Sequence, residues 1–202
     1  MTGFVDLSFP LSGRSVGVDA ADRLQQLLST ALGLGKEDTL FGIHPLNGLT
    51  AEDESEQRLL LSRRTRLILR LPAELVAAAQ ALAGSAFDLG AGAVRLGEGQ
   101  IRPLQAAPVI YSAFVHLGPA DEHSFLCLAE QTLAACDIRV RLLPGKARQR
   151  SVLGEVLSGY SLMLHGLDEE QSLHVQRVGL GNHRRWGCGL FVPHKSIAAV
   201  GV

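Results

Sequence analysis

The feature that most limits what this chain can become is an order of periodicities that runs through it twice. From Val5 to Pro10 apolar and polar residues alternate with period two, and the run stops at a proline, as in a short strand. Leu24, Leu27, Leu28 and Leu32 then recur at helical spacing within residues 19–32, and Gly33 and Gly35 end that segment. Leu40 to Gly48 reads as a strand or the start of one, and Arg58 to Leu71 as a second strand region. Pro72-Ala73-Glu74 opens a helix with proline in its first turn, Leu75 to Leu82 continues it, and Gly84 closes it. Phe87 to Leu96 reads as a hairpin around Gly90 and Gly92. The order is β-α-β-β-α-β.

After a proline-flanked stretch the same order returns. Val109 to Leu117 reads as a strand, and Asp121 to Cys136 as a helix with Phe125, Leu128 and Leu133 apolar. Ile138 to Leu142 alternates as a strand, Ser151 to Leu164 forms another, Asp168 to Val178 a helix, and Leu190-Phe191-Val192 the last strand. The expected fold is therefore α+β: two tandem ferredoxin-like (RRM-like) βαββαβ domains at residues 1–100 and 109–202, with a linker at 101–108. The halves share no evident sequence similarity, so the repeat is one of topology.

Composition allows this. Of 202 residues, 47% are hydrophobic and 19% charged, enough to build cores and too apolar for a disordered chain. The net charge of −1 argues against a general polyanion binder, yet the charge is uneven. Residues 1–58 hold nine acids against four bases, whereas residues 137–195 hold nine bases against five acids, a local basic footprint. Three cysteines without ligand spacing read as reduced and non-metallic, in keeping with a cytoplasmic protein. No secretory signal or membrane span is expected. Metal-site spacings, a Walker loop, a GxSxG elbow and a dinucleotide fingerprint are all missing, so no cofactor is expected, and nucleotide hydrolases and dehydrogenases are excluded.

The densest chemistry lies near the C-terminus. Gly179, Gly181, Gly187 and Gly189 put four glycines into eleven residues, with His183, Arg184, Arg185 and Trp186 between them. Such glycines allow positive φ and close approach of another backbone. Amides, guanidinium forks and an aromatic face suit a phosphate-rich, base-bearing polymer, and a glycine-rich turn with solvated arginines is the simpler reading. Lys146, Arg148 and Arg150, after Pro144-Gly145, read as a basic loop that could grip a duplex backbone or simply be solvated. Of the seven histidines, His44 is the first candidate for proton transfer, since its ordinary titration range suits acid–base cleavage of RNA. An ordinary loop histidine is the alternative. His183 is the runner-up, with neighbouring arginines that would stabilise phosphorane-like charge and lower its pKa. The other five histidines read as surface or strand-edge residues.

Taken together, Gly42-Ile43-His44-Pro45, the opening Val5 to Leu11, the Arg63 to Leu67 strand and the Gly179 to Pro193 stretch resemble the CRISPR repeat-RNA endoribonucleases. The closest likeness is to the small Myxococcus-type subtype, within the repeat-associated RNA-binding (RAMP) superfamily. The resemblance implies metal-independent cleavage of precursor CRISPR RNA by 2′-hydroxyl attack, with His44 as acid or base. A tyrosine or lysine sometimes accompanies that histidine; Tyr111 and Lys36 are the candidates here. It further implies that the glycine loop with Arg184 and Arg185 holds the RNA, that Lys146, Arg148 and Arg150 contact the repeat hairpin, and that other Cas effector subunits are partners. A-form RNA is read largely through phosphate and 2′-hydroxyl contacts, which scattered arginines can supply. Two alternatives remain: a non-catalytic RNA-binding subunit of the same superfamily, and a tandem ferredoxin-like module that binds a small molecule or a protein.

Overall fold

The computed structural model describes residues 3–17, 19–53, 56–118 and 121–195. The chain divides into two compact units, Met1–Pro103 and Leu104–Val202.

In the first unit the alternation of the opening residues becomes strand β1 (Phe4–Ser12), which pairs antiparallel with β6 (Arg66–Pro72) from Phe4↔Pro72 to Pro10↔Arg66. Period two puts Leu7 and Phe9 of β1 with Leu67, Leu69 and Leu71 of β6 on one face, all fully buried. Helix α1 (Ala20–Leu32) covers that face with Leu24 and Leu28 and ends at Gly33, whose left-handed φ of 65° lets its amide reach the carbonyls of Ser29 and Thr30. Strand β3 (Gly42–Ile43) adds to the outer edge of β6, while β8 (Ala93–Leu96) and β9 (Gln100–Pro103) pair with different stretches of β1, and β7 (Ala86–Asp88) flanks β8. Read as β3-β6-β1-β8, this is the antiparallel 2-3-1-4 order of a ferredoxin-like unit.

Several details differ from the periodicity. Strands β2 (Ser15–Gly17), β4 (Leu49–Asp53) and β5 (Glu56–Leu60) form a separate sheet in the order β2-β5-β4, so the region read as one strand from Arg58 to Leu71 is two strands in two sheets. The second helix is short: a 3-10 turn at Ala73–Leu75 runs into α2 (Val76–Gln80). The stretch read as a linker from Ile101 begins inside β9, because Val5, Leu7 and their neighbours in β1 pair with residues 100–103.

The second unit has the expected order without insertions: β10 (Val109–Val115), α3 (Glu122–Ala134), β11 (Arg141–Val152), β12 (Glu155–His165), α4 (Glu169–Val178) and β13 (Val192–Pro193). Its sheet runs β11-β12-β10-β13, again 2-3-1-4. Asp121 caps α3 by accepting from the Ser124 amide, and Asp168 with Gln171 forms a full capping box on α4. Ile110, Phe125, Ala129, Leu133, Leu162, Leu164 and Phe191 fill the core between helices and sheet. Lys146 to Arg150 is not a loop but the middle of β11, which runs on to a turn at Leu153-Gly154. Pro144-Gly145 marks a register shift within the strand instead of ending it, and β11 lies at the sheet's edge, where a proline is tolerated. No helix among the described residues is long and apolar enough to cross a membrane.

Candidate functional site

His44 follows β3 directly, and its amide continues the ladder by donating to the Ile68 carbonyl at 2.9 Å. The register aligns Asp6, Arg70 and Gly42 across β1, β6 and β3, on the face opposite the leucine core. By alternation His44 belongs to that same polar face. Arg70 is fully buried, and a buried guanidinium requires a partner. It donates through Nε and Nη2 to the two carboxylate oxygens of Asp6, each at 2.8 Å, a bidentate pair. His44 Nε2 lies 3.6 Å from Asp6 Oδ1, with the two side chains only 12% and 17% exposed. Burial alone would raise the Asp6 pKa, but the Arg70 hydrogen bonds, followed by the His44 contact, hold the carboxyl well below the usual carboxylate range. Asp6 is therefore an anion at any physiological pH, with a cation on one side and an imidazole on the other.

The glycine-rich stretch links α4 to β13 and folds back on its own unit. The Leu180 amide donates to the Gly189 carbonyl at 3.3 Å, and the Gly189 amide to the Phe114 carbonyl at 2.8 Å. Gly189 has φ +63°, and a Cβ there would overlap the Leu180 carbonyl; one at Gly181 would overlap the His116 carbonyl. The close-approaching backbone that these glycines admit is the chain's own. Arg184 is also spent inside: it is 4% exposed, and its Nη2 donates to the Arg177 carbonyl at 2.8 Å in the last turn of α4, where a cation suits the helix dipole. Arg150 ties β11 to the loop. Its guanidinium lies 5.2 Å from the centre of the Phe114 ring and donates to the Trp186 carbonyl. Burial pushes the Cys188 thiol up, with Arg150 opposing.

On this loop His183 adopts a left-handed φ of 63°, and its ring centre lies 5.8 Å from that of His116 and 5.9 Å from that of Trp186. His116 Nδ1 is 2.7 Å from the Ser158 carbonyl, so that nitrogen carries the proton and donates it. Burial, and then the His116 charge, lower the His183 pKa, while Glu155 pulls it up. The lowered value agrees with the sequence reading, but the cause is a second histidine and desolvation, not the adjacent arginines.

The remaining candidates scatter. Lys146 and Arg148 are exposed on β11, and Arg148 lines a shallow groove of about 520 Å³ with Ala147, Gln149, Ser158 and Gly159. Arg185 is half-buried in the 3-10 turn Arg184–Trp186 that Gly187 closes. Tyr111 is half-buried in β10, its ring 5.7 Å from that of His194. Lys36 is exposed after α1. His116, read as a surface or strand-edge residue, is half-buried and partnered. Asp6 and Arg70 were missed as site residues. A charged residue in the run Arg66-Leu67-Ile68-Leu69-Arg70-Leu71 was the available signal, because a central strand must pair any charge it buries.

Two ferredoxin-like units, the second with a glycine-rich loop before its last strand, define a tandem ferredoxin-like (RRM-like) fold. Solved structures share this fold. The protein of a Cas6-related gene from Pyrococcus furiosus superposes with a TM-score of 0.69 at 12% identity, over 96% of this chain and 100% of that one. A RAMP protein that binds different RNA substrates does so at 0.67 and 12%, over 95% and 100%. At such identities the likeness is one of fold. Sequence goes further: the family described as Cas6 Crispr matches residues 5–196. The CRISPR-associated endonuclease Cas6 of Myxococcus xanthus (strain DK1622) is 33% identical over 198 residues, 98% of this chain and 84% of that relative. The chain belongs to the Cas6 family of CRISPR proteins, as the resemblance in its sequence implied.

Proposed function

We propose that this protein is a CRISPR repeat-RNA endoribonuclease that cuts precursor CRISPR RNA to give mature guides, with His44 as a proton-transfer group. The observation that carries the reading is the family match over residues 5–196, together with a relative named as an endonuclease. The chemistry is transesterification within the RNA. The 2′-hydroxyl oxygen attacks the adjacent phosphorus while a base takes its proton, and the bond to the 5′-oxygen breaks while an acid protonates that oxygen. A cyclic phosphate and a 5′-hydroxyl remain, and no metal is called for. In-line placement of the hydroxyl and two proton transfers supply most of the acceleration. His44 performs one transfer. Lys36, in the same unit, is the candidate for the other; His183, whose pKa burial lowers, is the alternative to His44 as the base.

Lys146 and Arg148, exposed on β11, supply phosphate contacts in this reading, and Arg185 on the glycine-rich loop supplies another. Arg150, Arg184 and the four glycines act by shaping the loop. The acidic N-terminal stretch, nine acids against four bases in residues 1–58, faces other Cas effector subunits, and three free thiols fit a reducing cytoplasm.

The test is cleavage of a labelled cognate repeat RNA in EDTA by wild type and His44→Ala. The expected result is one cut by wild type, abolished by a 2′-deoxy substitution at the attacking position, and lost in His44→Ala with RNA affinity retained. A second reading, RNA binding without cleavage, is favoured by the 12% exposure of the His44 side chain, and binding without any cut by wild type would establish it.

A further inference from the structure

The buried pair beneath His44 has a role beyond stability. We infer that Asp6, clamped by Arg70, is the positioning residue for His44: it holds the imidazole through Nε2–H and so assigns proton transfer to Nδ1. The inference rests on the proposal that His44 transfers a proton.

Three observations carry it. First, the ring nitrogen facing the carboxylate is Nε2, 3.6 Å from Asp6 Oδ1, an ion-pair distance that closes to a hydrogen bond as the ring gains charge. Second, Asp6 cannot turn away. Its two oxygens are fixed by Nε and Nη2 of Arg70 at 2.8 Å each, and Arg70 is immobilised by complete burial on a central strand. Third, strand register places Asp6 opposite Arg70, and the ladder bond from the His44 amide to Ile68 brings the imidazole onto their face, so the geometry is set by the sheet. Asp6 of β1 faces the imidazole, Arg70 of β6 holds Asp6, and Arg102 of β9 stands in register with Asp6 on its other flank.

The chemical consequence is specific. An imidazole whose Nε2 carries the proton towards a fixed carboxylate has its lone pair on Nδ1, and a neutral ring then accepts the 2′-hydroxyl proton there. If His44 serves as the acid instead, a charged ring releases the Nδ1 proton to the leaving 5′-oxygen. In both, Asp6 keeps its charge and takes no proton; it stabilises the imidazolium and fixes the tautomer, as a carboxylate does behind a catalytic histidine. Arg70 keeps Asp6 from acting as the base itself.

The test uses the full-length protein and three variants: Asp6→Asn, the double variant Asp6→Asn/Arg70→Met, and His44→Ala. The double variant removes both buried charges together and guards against misfolding of the single one. Expected are RNA affinity near wild type, single-turnover cleavage slower by about 10- to 100-fold, and the His44 limb of the pH–rate profile moved to lower pH by about one unit, since the anion that favours imidazolium is gone. Imidazole ¹⁵N spectra of wild type at high pH should show Nε2 protonated and Nδ1 bare, with that preference lost in the variants. Variants that cut at the wild-type rate with an unmoved limb, or a wild-type ring protonated on Nδ1, overturn the inference. His44→Ala separates the two readings: if it is dead while both Asp6 variants behave as wild type, only the positioning role falls, whereas normal cutting by His44→Ala overturns both.

Discussion

Replacing Gly189 by alanine tests what the glycine-rich loop is built for. Two effects add in this variant. An L-residue held at the φ of +63° found here costs about 1–2 kcal/mol. The new Cβ also overlaps the Leu180 carbonyl, and relieving that contact strains two bonds, from the Leu180 amide to Gly189 and from the Gly189 amide to Phe114, worth about 1 kcal/mol each. The expected loss for Gly189→Ala is thus about 3–4 kcal/mol. Gly154, in the turn between β11 and β12, supplies a control in the same unit. Its φ is +82°, but an added Cβ would meet nothing within 4 Å, so Gly154→Ala pays the backbone strain alone, about 1–2 kcal/mol. Urea unfolding followed by the fluorescence of Trp186, the chain's single tryptophan, measures both in one signal. A gap of about 2 kcal/mol between the variants confirms that the loop glycines serve the packing of the chain on itself. Equal losses would refute this, and would leave approach of the RNA backbone as the reason for glycine at 189. In that case RNA affinity, measured where both variants are folded, should fall for Gly189→Ala only.

Two further outcomes follow from the same unit. His183 has a folded-state pKa below its unfolded value of about 6.5, so the folded state binds fewer protons than the unfolded one. Its contribution is complete above pH 6.5 or so, and is lost as the pH falls through that value towards the folded pKa. The urea midpoint read by Trp186 should drop between pH 7 and 5.5, and His183→Asn, which tolerates the left-handed backbone, should flatten the drop; an unchanged slope would remove His183 as its source. Lys146→Gln/Arg148→Gln should weaken RNA binding and reduce the slope of log affinity against log salt by about 1.5, two phosphate contacts' worth. Titration of labelled repeat RNA at several salt concentrations reads this directly, and an unaltered slope would place the phosphate contacts elsewhere.

The parts of this protein legible in its sequence are those whose physics is local. Leu7 and Phe9, Leu67, Leu69 and Leu71, and the helical leucines of α1 declare their faces by period alone, so the tandem ferredoxin-like order can be read without a structure. The glycine-rich loop shows for a similar reason, since a backbone at φ +63° or +79° favours glycine and one pressed against another carbonyl, as at Gly189 and Gly181, requires it. Errors arose where a local signal was outvoted. Pro144-Gly145 carries the chemistry of a turn, yet on an edge strand the pair only shifts the register and Lys146 to Arg150 continue in β11. Strands β4 and β5, charged residues among them, show no apolar face to a period-two reading, because they pair in a small sheet of their own. The site chemistry was the least legible, because its partners are distant in sequence: Asp6 and Arg70 are 64 residues apart, and His116 meets His183 only through the loop's return. The first of these pairs nevertheless follows from register once the strand order is known. β1 and β6 are neighbours in any 2-3-1-4 sheet, Arg70 is the fully buried charged residue of β6 on the face opposite the leucines, and Asp6 stands opposite it. A buried arginine in the third strand of such a unit therefore predicts a carboxylate in the first. The residue that follows the second strand then lies beside that carboxylate, which is where this chain keeps its histidine.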